Sequence, residues 1–143
     1  MKFLSIILIL SMCFSNAKTQ EVNDKSLAGK WEYESPKKKT KVSYHFALDK
    51  NFTSTTEHKE KEVVTKGLYQ IDKIGDIDRL KLSTPSAESQ SKTIINTYFI
   101  KFLSADTLKV QMVTDKQDAW RSENRRNTML FIRKKEKAKE KSN

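Results

Sequence analysis

Residues Asp24–Glu34 read DKSLAGKWEYE, and the position of Trp31, two residues after Gly29, decides where the first strand of this chain enters its core. Tryptophan is the largest apolar side chain a protein can bury, and the glycine before it lets the backbone turn sharply into the strand. The preceding DKSL has the composition of a single helical turn ending at Leu27, with Asp24 or Ser26 placed to cap it.

Downstream of Gly29 the chain is a succession of short runs with period-two alternation, rich in β-branched and aromatic residues. Eight such runs stand out: Gly29–Glu34, Lys41–Leu48, Phe52–His58, Glu62–Ile71, Ile77–Ser83, Thr93–Phe102, Thr107–Thr114 and Asn127–Lys134. Between them lie turn signals such as SPKKKT, DKN, KEK, KIGD and SAD, too short for crossover helices, so consecutive strands are expected to pair antiparallel. The alternation assigns faces. Val42, Tyr44, Phe46 and Leu48 share one side of the second run, Ile94, Asn96, Tyr98, Ile100 and Phe102 one side of the sixth, and Leu108, Val110 and Met112 one side of the seventh. A meander of eight strands leaves two open edges unless it closes. The expected fold is therefore all-β: a single eight-stranded antiparallel up-and-down barrel in a domain spanning 27–134, with at most one or two short helical turns. At that strand number the interior is either filled by side chains or holds one small ligand. Only DKQDAWRSENRR is a long connection, expected to form one short helix or an ordered loop.

The flanks read differently. Residues 1–17, MKFLSIILILSMCFSNA, have the charged start, apolar run and small-residue end of a signal peptide, and are too short and wrongly flanked for a transmembrane helix. Cys13 is the sole cysteine, and it has two readings. It is cut away with the signal, or it is the lipidated residue of a lipobox, Leu10-Ser11-Met12-Cys13, in which Met12 stands where that motif normally demands a small residue. The chain is accordingly expected to be exported, as a periplasmic or secreted product or as a lipoprotein anchored through Cys13. Residues 18–26 are expected to be a polar linker, and 135–143 a charged tail without structure. Cleavage leaves 27 basic against 18 acidic residues, a net charge of about +9. Without a disulfide such a domain is held by core burial and sheet closure alone.

Four motifs in order carry a family resemblance: GKW at Gly29–Trp31, GLY at Gly67–Tyr69, LSADTL at Leu103–Leu108 and LFIR at Leu130–Arg133. Together they resemble the small bacterial lipocalin-like domains of the calycin type, over nearly the whole stretch after the signal. The resemblance implies a barrel sealed at one end by Trp31, with Arg133 stacked over its indole. It implies a fold more firmly than a function.

The residues offer little enzyme chemistry. There is no GxSxG and no glycine-rich phosphate loop, and no cysteine remains after the signal, so no catalytic residues and no cofactor are expected. His45 and His58 lack a plainly placed third partner for a metal. The basic runs at Lys37–Lys41, Arg125-Arg126 and the tail come without a recognition helix or an aromatic–basic motif, and are read as solvated turns rather than a specific nucleic-acid surface.

Two functional readings remain. In the first, the barrel is a non-enzymatic extracytoplasmic binding protein holding a small apolar or amphipathic ligand, with Tyr44, Phe46, Tyr98, Val110, Met112 and Trp120 as its lining and Gly29, Trp31 and Arg133 closing the other end. In the second, the barrel is solid and binds a macromolecular partner through its basic loops. Strand parity sends the first and last long connections to the end opposite Trp31, so Lys37–Lys39, Trp120, Arg121, Arg125 and Arg126 are expected to form one cationic rim suited to an anionic headgroup.

Overall fold

The structure, a computed structural model, describes residues 20–135 apart from Gln90, Asp115 and Arg125. The signal segment with Cys13, the rim residue Arg125 and all but the first residue of the charged tail lie outside the described residues. A one-turn helix α1 (Asp24–Leu27) precedes eight strands: β1 (Gly29–Glu34), β2 (Thr40–Phe46), β3 (Asn51–His58), β4 (Lys61–Ile74), β5 (Ile77–Pro85), β6 (Thr93–Ser104), β7 (Thr107–Val113) and β8 (Thr128–Lys134). Every strand pairs antiparallel with its sequence neighbour, and β1 closes the barrel on β8 through Lys30↔Lys134, Trp31↔Arg133 and Glu32↔Ile132. No helix among the described residues is long and apolar enough to cross a membrane.

Most strand ends differ from expectation by one to three residues, β4 for instance running to Ile74 rather than Ile71, and two differences change where a residue sits or what it does. β2 stops at Phe46 rather than continuing to Leu48, because Ala47 donates its N–H to Asn51 O and Lys50, in the left-handed region at φ 72°, closes the turn. Leu48 therefore lies exposed at a turn instead of facing the core. The helical turn is capped by Asn23, not by Asp24 or Ser26. Asn23 Oδ1 accepts from Ser26 N and Ser26 Oγ accepts from Asn23 N, both at 2.9 Å, a capping box one residue earlier than expected.

The end of the barrel near α1 is sealed. Trp31 is fully buried, donates Nε1–H to Leu27 O at 2.8 Å, and lies with the Arg133 guanidinium carbon 4.1 Å from its ring centroid. That guanidinium also donates to Ala28 O (2.8 Å), Ser26 O (2.6 Å) and Ala105 O (3.2 Å), tying the helical turn and the β6–β7 turn to β8. Gly29 makes the corner at φ 112°, a conformation that side-chain-bearing residues rarely adopt. Val22, in the stretch expected to be linker, is buried in the same cluster.

At the opposite end the β3–β4 hairpin turns through Lys59 and Glu60, at φ 46° and 66° between the paired residues His58 and Lys61. Two consecutive positive φ values define a type I′ turn, which favours Asn-Gly, whereas a residue with a Cβ costs about 1–2 kcal/mol in the left-handed region. Lys59→Asn combined with Glu60→Gly is expected to stabilise the chain by about 1–2 kcal/mol, read as a rise in urea midpoint at constant slope. A lower midpoint would mean that the two side chains contribute more than their backbone strain costs.

Candidate functional site in the barrel interior and at its open rim

The inward face of each strand converges on one apolar cluster. Trp31, Phe46, Tyr69, Leu80, Ile100 and Phe131 are all buried in it. Aromatic rings interlock across the barrel: Tyr44 stacks on Phe46 at 5.5 Å, Phe46 meets Tyr69 edge-on at 5.2 Å, and Tyr44 also contacts Phe131 at 5.4 Å. The free space left among these side chains is about 10 Å³. That is room for about one water molecule.

Of the residues expected to line a ligand cavity, Tyr44, Phe46, Tyr98 and Val110 border this small void. Burial raises the Tyr44 hydroxyl's pKa well above its usual range, with the neighbouring Tyr98 hydroxyl adding to the effect. Tyr98 is raised by burial too, and its hydrogen bond with Tyr44 works against that rise. The two hydroxyls thus serve each other inside the barrel. Leu80, Leu82, Leu108, Met129 and Phe131 complete the lining. They sit at inward positions of the same alternation, and single-strand periodicity does not reveal which inward residues meet at mid-barrel.

Met112 and Trp120 do not line the interior. Met112 is 56% exposed, because β7 ends at Val113 and the residue stands at the lip of the barrel. Trp120 lies on the outer wall, its ring 5.6 Å from that of Phe99 and capped by Lys109 Nζ at 4.4 Å. Phe99 alternates with inward Tyr98 and Ile100, so it points outward, and yet it is fully buried. What holds the loop over it is Gln111. Its amide donates to Arg121 O (3.1 Å) and Thr128 Oγ1 (3.0 Å) and accepts from Arg121 N (2.8 Å), imitating a backbone ladder with a side chain. Among its described residues the segment forms a loop without a helix, one of the two forms expected for it. An outward glutamine between valine and methionine carries no sequence signal for such a role.

The rim is correspondingly divided. Lys38 and Lys39 of the β1–β2 turn face an open cleft of about 620 Å³ opposite His58, Lys59 and Glu60 of the β3–β4 turn. Glu34, Glu57 and Glu62 also border it, so the surface mixes charges instead of forming a purely cationic mouth. No described residue of the Trp120 loop borders this cleft. His58 Nδ1 is 2.8 Å from Thr40 Oγ1 on the inward face, whereas His45 is on the outward face of β2, so the two histidines do not converge. No family model, curated protein or solved structure matches the chain.

Proposed function

We propose that this chain is an exported, non-enzymatic, lipocalin-like barrel that acts as an interaction module, engaging an acidic macromolecular surface through its lysine-bearing hairpin tips. The observation that carries this reading is the interior. Ligand pockets occupy about 300–1,000 Å³, and the space left among the core aromatics is about 10 Å³. The rings are mutually packed in the arrangement of a protein core, so admitting a ligand would require several of them to move together. The lysines at Lys37–Lys39 and Lys59, by contrast, stand on turns at the open end, where long ammonium side chains reach solvent and any partner.

Native mass spectrometry with lauric and palmitic acids tests the interior, and binding to poly-L-glutamate over a salt series tests the tips. The expected result is no stoichiometric acyl complex, together with polyanion binding that weakens with salt and falls in a Lys37→Glu, Lys38→Glu, Lys39→Glu variant. A one-to-one acyl complex would overturn this reading in favour of a small-ligand carrier.

A further inference from the structure

β4 is the longest strand, and it is paired along only part of its length on one side. Its β3 side is hydrogen-bonded from Lys61↔His58 to Leu68↔Asn51. Its β5 side begins only at Leu68↔Ser83, so Lys61–Gly67 have no partner strand there among the described residues. The ladder ends at that point for two physical reasons. The next hydrogen-bonded pair in register, two residues on, would set Lys66 against Pro85, which has no N–H to donate. Thr84 and Pro85 instead stay with β6, through Thr84↔Ile94 and Pro85↔Thr93. An open groove of about 530 Å³ separates the two, bordered by Lys66 and Leu68 on one side and Pro85 and Thr93 on the other.

The direction of the free backbone groups follows from the antiparallel alternation. Tyr69 donates to Lys50 O on the β3 side at 2.8 Å, so odd-numbered residues of this stretch serve β3. Glu62, Val64 and Lys66 therefore present both N–H and C=O to the side away from β3, where Lys66 borders the groove. Pro85 protects the β5 edge, while the free stretch of β4 has no proline: Val63 is 60% and Val64 52% exposed, with β-branched side chains on both faces. Leu68 and Ile95, both exposed, continue the apolar surface on the outward face. Unpaired strand edges of this kind template pairing with another chain.

The charge pattern selects the occupant. Glu62, Val64 and Lys66 form one outward row, acid–apolar–base. Laid antiparallel against itself with Val64 on a two-fold axis, that row sets Glu62 opposite Lys66 of the other copy, twice, and Val64 opposite Val64. Shifting the register by two residues sets Val64 against Lys66 and loses both ion pairs. We propose that the β4 edge, Glu62–Lys66, is a homodimerisation edge, where two copies of this chain join their barrels through an antiparallel β4–β4 pair in the Val64-centred register. Glu62 also borders the rim cleft, but a Lys37→Glu, Lys38→Glu, Lys39→Glu variant leaves all of Glu62–Lys66 in place, so this contact and a partner at the lysine tips fail separately.

The experiment is sedimentation equilibrium of the purified chain over a micromolar to near-millimolar range, with amide exchange at Glu62, Val64 and Lys66. The expected result is a monomer–dimer equilibrium, with protection of these three amides rising with protein concentration. Glu62→Lys creates two like-charge pairs and is expected to weaken the dimer about tenfold or more, whereas Glu62→Lys with Lys66→Glu restores the parent value. Val64→Pro removes a donor on the free edge, turned away from β3, so it is expected to abolish the dimer. The charge-swap pair keeps the question open to refutation even if the proline variant does not fold. A parent that stays monomeric throughout, a dimer indifferent to Glu62→Lys, or failure of the double swap to restore association would each overturn the proposal.

Discussion

Trp31→Ala is expected to destabilise the chain by about 3–5 kcal/mol, the range for removing a large buried aromatic. The residue is fully buried, and Phe102 packs against its ring at 5.8 Å. Its loss leaves a cavity at the sealed end and uncovers one face of the Arg133 guanidinium, which would keep its carbonyl acceptors but lose the indole beneath it. The indole N–H to Leu27 O is a separate contribution of about 1 kcal/mol, and Trp31→Phe should isolate it by retaining most of the packing. Urea unfolding followed by far-ultraviolet circular dichroism measures both. A Trp31→Ala midpoint equal to that of the parent would remove Trp31 from the core.

Gly67→Ala is expected to cost about 3 kcal/mol, the upper part of the range for overpacking, although glycine-to-alanine changes in unstrained backbone commonly stabilise. The reversal of sign comes from geometry. A Cβ at residue 67 would lie 2.1 Å from Ser83 O, 2.9 Å from Phe52 Cε1 and 3.0 Å from Thr84 Cγ2. The nearest of these is a backbone oxygen at the last β4–β5 pair, which cannot retreat without opening Leu68↔Ser83. Calorimetric or denaturant unfolding, with amide exchange at Leu68 and Ser83, reads the effect. A change within about 0.5 kcal/mol of the parent, the scale of an ordinary surface substitution, would contradict this close approach of β4 to β5.

The strand count, the sequential antiparallel order and most strand positions were legible from period-two alternation. A half-buried strand must alternate its side chains, and short polar turns leave neighbouring strands no other partner. The ends were less legible. Leu48 continues the apolar rhythm of β2, yet its backbone is already in a turn, because alternation records side-chain chemistry and says nothing of where the hydrogen-bond ladder stops. Asn23 caps α1 because the local hydrogen-bond exchange with Ser26 forms one residue earlier than the composition indicated.

The site was legible only in part. Tyr44, Phe46, Tyr98 and Val110 face inward as their alternation requires, but Met112, on the same face as Val110, emerges beyond the packed layers where the strand runs out. Trp120 in a long loop carried no indication of whether it guards a mouth or covers a wall. Phe99 and Gln111 decided that from distant positions, one as an apolar surface in need of cover and the other as a clasp for the loop backbone.

By itself, then, the sequence determined the number of strands, their antiparallel order, which residues face inward and which tryptophan begins the first strand, because each depends on local periodicity and turn chemistry. Only the tertiary structure decided that the interior is filled to within about 10 Å³, that the Trp120 loop folds onto the outer wall, and that β4 keeps a free edge beside Pro85. Those outcomes depend on how side chains from different strands share one volume and on where two ladders part. Both are set by barrel closure, which brings residues far apart in the chain to within van der Waals distance.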